Sequence, residues 1–220
     1  MSLVVEADLA AKQRKSRVVQ NLIVNQFKNP HGLIGGVAGW IMANRRSNIA
    51  RNRWTVGLLN LSDDANVLEI GCGPGIGLEA VLEAGPATRA TGLDHSRLMI
   101  QRAGNRLKKP LLTDRLTLWP GSLETLPHGG GFDAVFSCNV LQFVDDRTAF
   151  LELVKEHLKP DGLFATTFQP RGFCATAQAG RDWIGAFAED LCQANFVDVD
   201  IREEVFGDMP AFCALGTAPA

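Results

Sequence analysis

Tyrosine is absent from all 220 positions, which excludes a phenolic base and any cage built from tyrosine rings. Cysteine is sparse: the five (Cys72, Cys138, Cys174, Cys192, Cys213) are scattered, odd in number and without a C-x-x-C pair. Neither a disulfide framework nor a zinc framework is suggested, and a reduced, cytoplasmic setting is expected. Long apolar runs are missing too. The longest nearly uncharged stretch, Leu33 to Ala43, is too short to cross a bilayer. The first ten residues carry Glu6 and Asp8 and lack a cationic start followed by an apolar core, so no signal peptide is expected. A strong excess of either charge is also missing, since the net charge is −2.

The charge is nevertheless uneven. Residues 1–60 hold nine Lys/Arg (Lys12, Arg14, Lys15, Arg17, Lys28, Arg45, Arg46, Arg51, Arg53) against Glu6 and Asp8. A basic segment of this kind can seat on nucleic acid, an anionic membrane surface or an anionic substrate. The more ordinary expectation is a solvated helical face. With 46% hydrophobic and 21% charged residues, the composition suits a globular domain with a substantial core.

The most informative stretch is Val67-Leu68-Glu69-Ile70-Gly71-Cys72-Gly73-Pro74-Gly75-Ile76-Gly77. A β-forming run ends in four glycines spaced two apart, and a helix-compatible segment follows. The pattern predicts a strand, a tight turn and a helix N-terminus. Glycine there permits positive φ and close approach of a ligand, and free N–H groups at a helix start suit a polar or anionic ligand. The spacing is not that of G-x-G-x-x-G: the third glycine falls on Ile76 counted from Gly71, or on Leu78 counted from Gly73. A nicotinamide dehydrogenase is thereby disfavoured.

From Val67 onward strands and helices alternate. Strands are predicted at Val67–Ile70, Arg89–Leu93, Arg115–Trp119, Phe132–Ser137, Leu163–Thr167, Phe196–Ile201 and Ala211–Leu215. Helices are predicted at Ile76–Ala84, Ser96–Lys108 (Ser96 as N-cap, Pro110 as stop), Asp146–Leu158 and Gln178–Ala194. Lys159-Pro160-Asp161-Gly162 reads as a turn. The expected fold is α/β: a Rossmann-like seven-stranded, mostly parallel sheet with an antiparallel last strand and helices on both faces. Residues 1–60 read as an N-terminal helical cap or lid, with helices broken at Asn29-Pro30-His31-Gly32 and resuming from Val37 to Asn60. Residues 61–220 form the second expected domain. Asp94, at the tip of the second strand, lies beside the glycine turn, where a carboxylate can accept both hydroxyls of a ribose. A turn or N-cap aspartate is the plainer alternative.

These elements occur in order with E-x-G-C-G-P-G at 69–75, Gly92-Leu93-Asp94, Gly121-Ser122-Leu123-Glu124-Thr125-Leu126-Pro127, Phe132-Asp133-Ala134-Val135 and Leu158-Lys159-Pro160-Asp161-Gly162. Together they resemble a class I S-adenosylmethionine-dependent methyltransferase, nearest in flavour to small-molecule enzymes of the ubiquinone/menaquinone-biosynthesis type. The resemblance runs from about Val67 to the C-terminus. It implies S-adenosyl-L-methionine as cofactor and S-adenosyl-L-homocysteine as product. It also implies that Gly71, Cys72, Gly73 and Gly75 bring backbone against the methionine part. Glu69 would orient the ammonium group through water, Asp94 would hold the ribose and His95 would flank the adenine. Where the family reads Gly-Asp-Ala, this chain has Gly121-Ser122-Leu123; the Leu123 N–H can still meet an adenine nitrogen, but the carboxylate contact is missing at Ser122. Cys138 and Asn139 would lie under the methionine moiety.

Methyl transfer from a sulfonium needs little acid–base machinery. Alignment alone supplies on the order of 7–11 kcal/mol, and a general base adds roughly 10²–10⁴-fold. The candidates are His31, His128 and, as an orienting group, Gln142; His157, late in a helix, reads as structural. After the fourth strand the chain has Ser137-Cys138-Asn139-Val140 rather than the Asn/Asp-Pro-Pro-aromatic run of enzymes that methylate planar nitrogen. The resemblance therefore implies a carbon or oxygen nucleophile on a small molecule. Trp40, Met42, Trp54, Phe143 and Phe173 are candidates for the acceptor pocket, with core packing the commoner use of such residues. The expected enzyme works on a small-molecule acceptor as monomer or homodimer, with peripheral membrane contact through the basic segment left open and no nucleic acid expected. Two rivals remain. One is a nucleic-acid methyltransferase or binding protein using the basic cap, marked by steeply salt-dependent RNA affinity. The other is a non-catalytic partner that keeps the fold.

Overall fold

A computed structural model describes residues 46–127, 131–172 and 175–220. Helix α1 (Arg46–Leu58) is followed by β1 (Asn66–Ile70), α2 (Ile76–Ala84), β2 (Arg89–Asp94), α3 (Arg97–Arg106), the short α4 (Lys108–Leu112) and β3 (Leu116–Pro120). Then come β4 (Phe132–Cys138), α5 (Arg147–His157), β5 (Leu158–Phe168), α6 (Ala177–Gln193), β6 (Val197–Phe206) and β7 (Met209–Thr217). One sheet holds all seven strands in the order β3-β2-β1-β4-β5-β7-β6, with β7 antiparallel to both of its neighbours and the remaining pairings parallel.

The central strands are apolar on both faces because helices cover both sides. On one face Leu151 and Val154 of α5 and Ile184, Phe187 and Leu191 of α6 pack with Phe164 and Phe212. On the other, Val56 of α1 and Leu78 and Val81 of α2 pack with Val67, Phe136 and Cys213. Strand order reverses direction at β1, which has β2 on one side and β4 on the other. Open α/β sheets bind ligands outside the carboxyl ends of the strands at such a switch point, and the glycine turn leaves β1 there.

Helix ends follow local chemistry. Asp146 caps α5 by accepting the Ala149 N–H at 3.0 Å, and Thr176 caps α6 by accepting the Ala179 N–H at 3.1 Å. Ser96 holds the N-cap position of α3 but makes no side-chain cap bond; its N–H goes to Asp94 instead. Pro110 does not end a helix: it lies inside α4, in the first turn, where a missing N–H costs nothing. His157 is wholly buried at the end of α5.

Two expectations about strands need correction. Lys159-Pro160-Asp161-Gly162 is not a separate turn before β5 but an irregularity within it, the pairing stepping from Phe132↔Leu158 to Ala134↔Leu163. Asp161 takes φ 61° there, and Lys159 Nζ reaches Asp133 Oδ1 at 2.6 Å. β6 also runs to Phe206, well past Ile201. Its charged stretch Arg202-Glu203-Glu204 is tolerated because β6 is an edge strand whose residues face mostly outward.

Candidate functional site

Three positive-φ glycines build the turn after β1 and serve different ends. A Cβ on Gly71 (φ 68°) would strike the Val140 side chain, and one on Gly75 (φ 84°) would press on Ala103 and Leu107 of α3. A Cβ on Gly73 (φ 52°) would meet nothing within 4 Å. Two glycines therefore let the turn pack, while the third presents bare backbone to open space.

The turn is secured by its own hydrogen bonds. The Gly71 and Cys72 N–H groups both donate to Leu93 O, at 2.7 and 2.9 Å, and the Gly75 N–H donates to Cys72 O at 3.0 Å. The Gly73 N–H donates to Asp94 Oδ2 at 2.8 Å, and the Ser96 N–H to Asp94 Oδ1 at 2.8 Å. The amides of these four turn residues are thus committed within the protein. Asp94 is buried, with one backbone donor on each oxygen. An ionised carboxylate has about four acceptor positions, so one remains on each oxygen. Both the turn role and the ligand role of Asp94 are compatible with this geometry. His95 beside it is largely exposed, its Nδ1 4.0 Å from Asp94 Oδ1.

Glu69 lies beneath the turn, 2% exposed. Its carboxylate sits where a Gly77 Cβ would be and accepts the Leu78 N–H at the start of α2, yet Oε2 is buried without a partner. Burial pushes the Glu69 carboxyl well above its ordinary value, with the Asp94 charge adding to the effect. Cys72 is raised for the same reasons, burial first and then Glu69 and Asp94. Because Gly77 has no unusual φ, a substitution there tests sterics alone. Gly77→Ala is expected to lower the melting temperature, overpacking costing about 1–3 kcal/mol. Gly57→Ala on α1, with nothing within 4 Å of its Cβ, is the control, expected to be neutral or stabilising. Thermal melts of both variants check this.

At the tips of β4 and β5, the Asn139 N–H donates to Thr167 O at 2.8 Å, and Asn139 Oδ1 accepts the Gln169 N–H at 2.8 Å. Gln142 Nε2 donates to Asn139 O at 2.8 Å, while its Oε1 is buried without a partner. Asn139 takes φ 56°, a conformation its short polar side chain tolerates. Cys138 Sγ donates to Thr55 Oγ1 at 3.5 Å, and burial pushes its thiol up to about 11 despite nearby Arg51. It is therefore a neutral thiol at physiological pH. Ser122 is exposed and its hydroxyl engages Glu124, lowering that carboxyl, while Leu123 is buried.

The fold thus gathers Glu69, Gly71, Cys72, Gly73, Gly75, Asp94 and His95 around the ends of β1 and β2, and Cys138, Asn139 and Gln142 around that of β4. Gly71 meets Val140 across the switch point. His31, His128, Trp40, Met42 and Phe173 lie outside the described residues. Trp54 packs edge-on against Phe206 at 5.7 Å, which is core packing.

One residue escaped the sequence reading. Arg51 was expected on a solvated face, but is 3% exposed. Asn48, Arg51, Asn52 and Thr55 recur at i, i+3, i+4 and i+7 and so share one helical face, and the last three are buried. Thr55 Oγ1 meets Thr167 Oγ1 at 2.6 Å, and Arg51 Nη1 donates to Gln169 Oε1 at 2.6 Å. The signal was a polar stripe at helical spacing.

A seven-stranded sheet whose last strand alone is inverted, with a glycine turn after β1 and an acid closing β2, defines the class I methyltransferase architecture. A family profile described as a methyltransferase domain matches residues 67–162. The uncharacterized methyltransferase YdaC of Bacillus subtilis is 31% identical over 185 residues, covering 84% of this chain and 99% of YdaC. A trans-aconitate 2-methyltransferase from an Azoarcus species is 28% identical over 131 residues, covering 60% of this chain and 48% of that protein, about half its length. Among solved structures, the Haloferax volcanii complex of the Trm112 methyltransferase activator with a methyltransferase superposes with a TM-score of 0.67 at 18% identity, covering 83% of this chain and 94% of that one. The chain belongs to the class I S-adenosylmethionine-dependent methyltransferases.

Proposed function

We propose that this enzyme methylates a small molecule at a carbon or oxygen nucleophile, with S-adenosyl-L-methionine as donor. The observation that carries the reading is the pair of acids around Gly73. Asp94 keeps one acceptor position open on each oxygen, and Glu69 holds a buried oxygen with no partner. A ligand with a diol and an ammonium group satisfies both. Gly73 leaves room for it, and the residues present fit the cofactor.

When bound, the cofactor supplies a methyl group already activated on a sulfonium. The protein's own part is placement. Asp94 holds the ribose, Glu69 orients the ammonium and the 71–75 turn carries the methionine portion. Cys138 and Asn139 form the floor, and His95 and Leu123 border the adenine. With its thiol neutral, Cys138 acts by shape and not as a base. Gln142 Oε1 is the described group available to orient an acceptor hydroxyl. We assign choice of the acceptor to residues 1–60, of which 1–45 lie outside the described residues, in an enzyme that works as monomer or homodimer in the cytoplasm.

A nucleic-acid acceptor is less well supported. Of the three basic residues of the cap that are described, Arg51 is buried, Arg53 is paired with Glu83 at 2.7 Å and Arg46 is exposed. No helix among the described residues is long and apolar enough to cross a membrane. Calorimetry with S-adenosylhomocysteine should show one-site binding; heat-free titration of folded protein rejects the reading. RNA binding that falls steeply with salt would replace the small-molecule acceptor.

A further inference from the structure

The guanidinium of Arg51 is a buried charge with no carboxylate partner among the described residues. It is 3% exposed. Nη1 donates to Gln169 Oε1 and Nη2 to Asn48 Oδ1, both neutral amides. Nε is buried and has no partner. No carboxylate among the described residues pairs with it. Burial lowers its pKa, but an arginine does not shed its proton in a protein, so the charge stays. Buried charges are paired or else costly, and a cation with no counter-ion among the described residues is suited to one brought by a ligand.

Its position says which ligand. Gln169 directly follows β5, and Thr55, one turn along α1, touches Thr167 and Cys138 at the ends of β5 and β4. Arg51 and Glu69 both act electrostatically on Cys138, with opposite signs. An uncompensated cation and an uncompensated acid therefore flank the tip of β4 without pairing with each other. A planar fork with free donors is the chemistry that grips a carboxylate.

We propose that Arg51 is the carboxylate receptor of this site. The proposal rests on the methyltransferase reading above. Two sources share the chemistry: the amino-acid carboxylate of the cofactor, whose ammonium would face Glu69, or a carboxylate on the acceptor. Asn48 and Gln169 are positioning residues that aim the fork.

The test compares wild type with Arg51→Met and Arg51→Lys. Affinities are measured by calorimetry for S-adenosylhomocysteine, for 5′-methylthioadenosine (which lacks the amino acid), and for acetate, malonate and trans-aconitate added to the S-adenosylhomocysteine complex. If the carboxylate is the cofactor's, Arg51→Met weakens S-adenosylhomocysteine by about 30-fold or more, as expected for a lost buried charge contact, and leaves 5′-methylthioadenosine within twofold. Arg51→Lys recovers part of the loss. If it is the acceptor's, S-adenosylhomocysteine is unchanged and a carboxylate bound by wild type is lost in Arg51→Met. S-adenosylhomocysteine within twofold of wild type, with no carboxylate whose binding depends on Arg51, overturns the proposal. A second readout separates ligand binding from structure. Arg51→Met leaves the buried Gln169 amide oxygen without its donor, at about 1–3 kcal/mol, whereas Arg51→Lys keeps a donor there, so ligand-free Arg51→Lys should melt no more than about 3 °C below wild type, given roughly 2–4 °C per kcal/mol for a chain of this size. A large drop in both variants makes Arg51 structural and overturns the assignment. Should wild type bind neither adenosyl compound, the cofactor reading fails instead, and the carboxylate panel, titrated into the ligand-free protein, still decides Arg51.

Discussion

Asp94→Ala is expected to weaken S-adenosylhomocysteine binding by roughly 10²–10⁴-fold, through loss of two hydrogen bonds to a charged acceptor worth about 1.5–3 kcal/mol each. The carboxylate does two things at once. It accepts the Gly73 and Ser96 N–H groups at 2.8 Å each, which locks the glycine turn to the start of α3, and it keeps a free position on each oxygen. The two backbone bonds orient the oxygens before a ligand arrives, so little ordering remains to be done on binding. Alanine removes both functions and leaves two amides short of a partner, at about 1–3 kcal/mol each, so the melting temperature should fall as well. Asp94→Asn separates them. One oxygen survives, but the amide nitrogen confronts an N–H donor. It should therefore melt between alanine and wild type yet bind S-adenosylhomocysteine nearly as poorly as alanine does. Full affinity in either variant would remove Asp94 from the site.

Much of the fold was legible in the chain because strand and helix signals here are local. Val67–Ile70 is apolar apart from Glu69 since β1 is covered on both faces, and Asp146 announces α5 because capping involves only the next turn. What was misread depends on distant partners. The Lys159–Gly162 segment has turn chemistry but is absorbed into β5 by its neighbour β4. Arg202-Glu203-Glu204 is too polar for an inner strand and acceptable on an edge. The helix expected over 96–108 ends at Arg106, and a second short helix, Lys108–Leu112, takes in Pro110, the expected stop.

The site was legible in part for the same reason. The glycine turn and Asp94 announce themselves by spacing, but their internal bonding is set by tertiary contact between adjacent strand ends. Arg51 was invisible to charge counting, which treats a cation as solvated wherever it falls. Read as a member of the 48, 51, 52, 55 face it stands out, since a polar stripe at helical spacing has to face something.

Glu69 yields the prediction with the clearest pH signature. In the free protein burial holds its carboxyl well above the ordinary value of 4.5, so the native state binds this proton more tightly than the unfolded chain does. The stability this proton confers is complete below pH 4.5. It is lost as pH rises from there through the folded pKa, at up to about 1.4 kcal/mol per pH unit. Glu69→Gln cannot ionise, and its amide oxygen can still accept the Leu78 N–H. Its melting temperature, close to wild type near pH 4.5, should therefore exceed wild type by a margin that widens as pH rises toward 8. Ligand binding should move the opposite way. A cationic ammonium favours the charged carboxylate, so wild-type affinity for S-adenosylhomocysteine should climb with pH, by up to about tenfold per unit, until Glu69 is ionised without help. Glu69→Gln should bind weakly and without this slope, while 5′-methylthioadenosine, having no ammonium, should be indifferent to both pH and substitution. Paired melts and titrations across pH 5–8 decide the matter. A flat wild-type affinity, or a glutamine variant that binds as well as wild type, would mean that the orphaned Glu69 oxygen faces something other than the cofactor's ammonium.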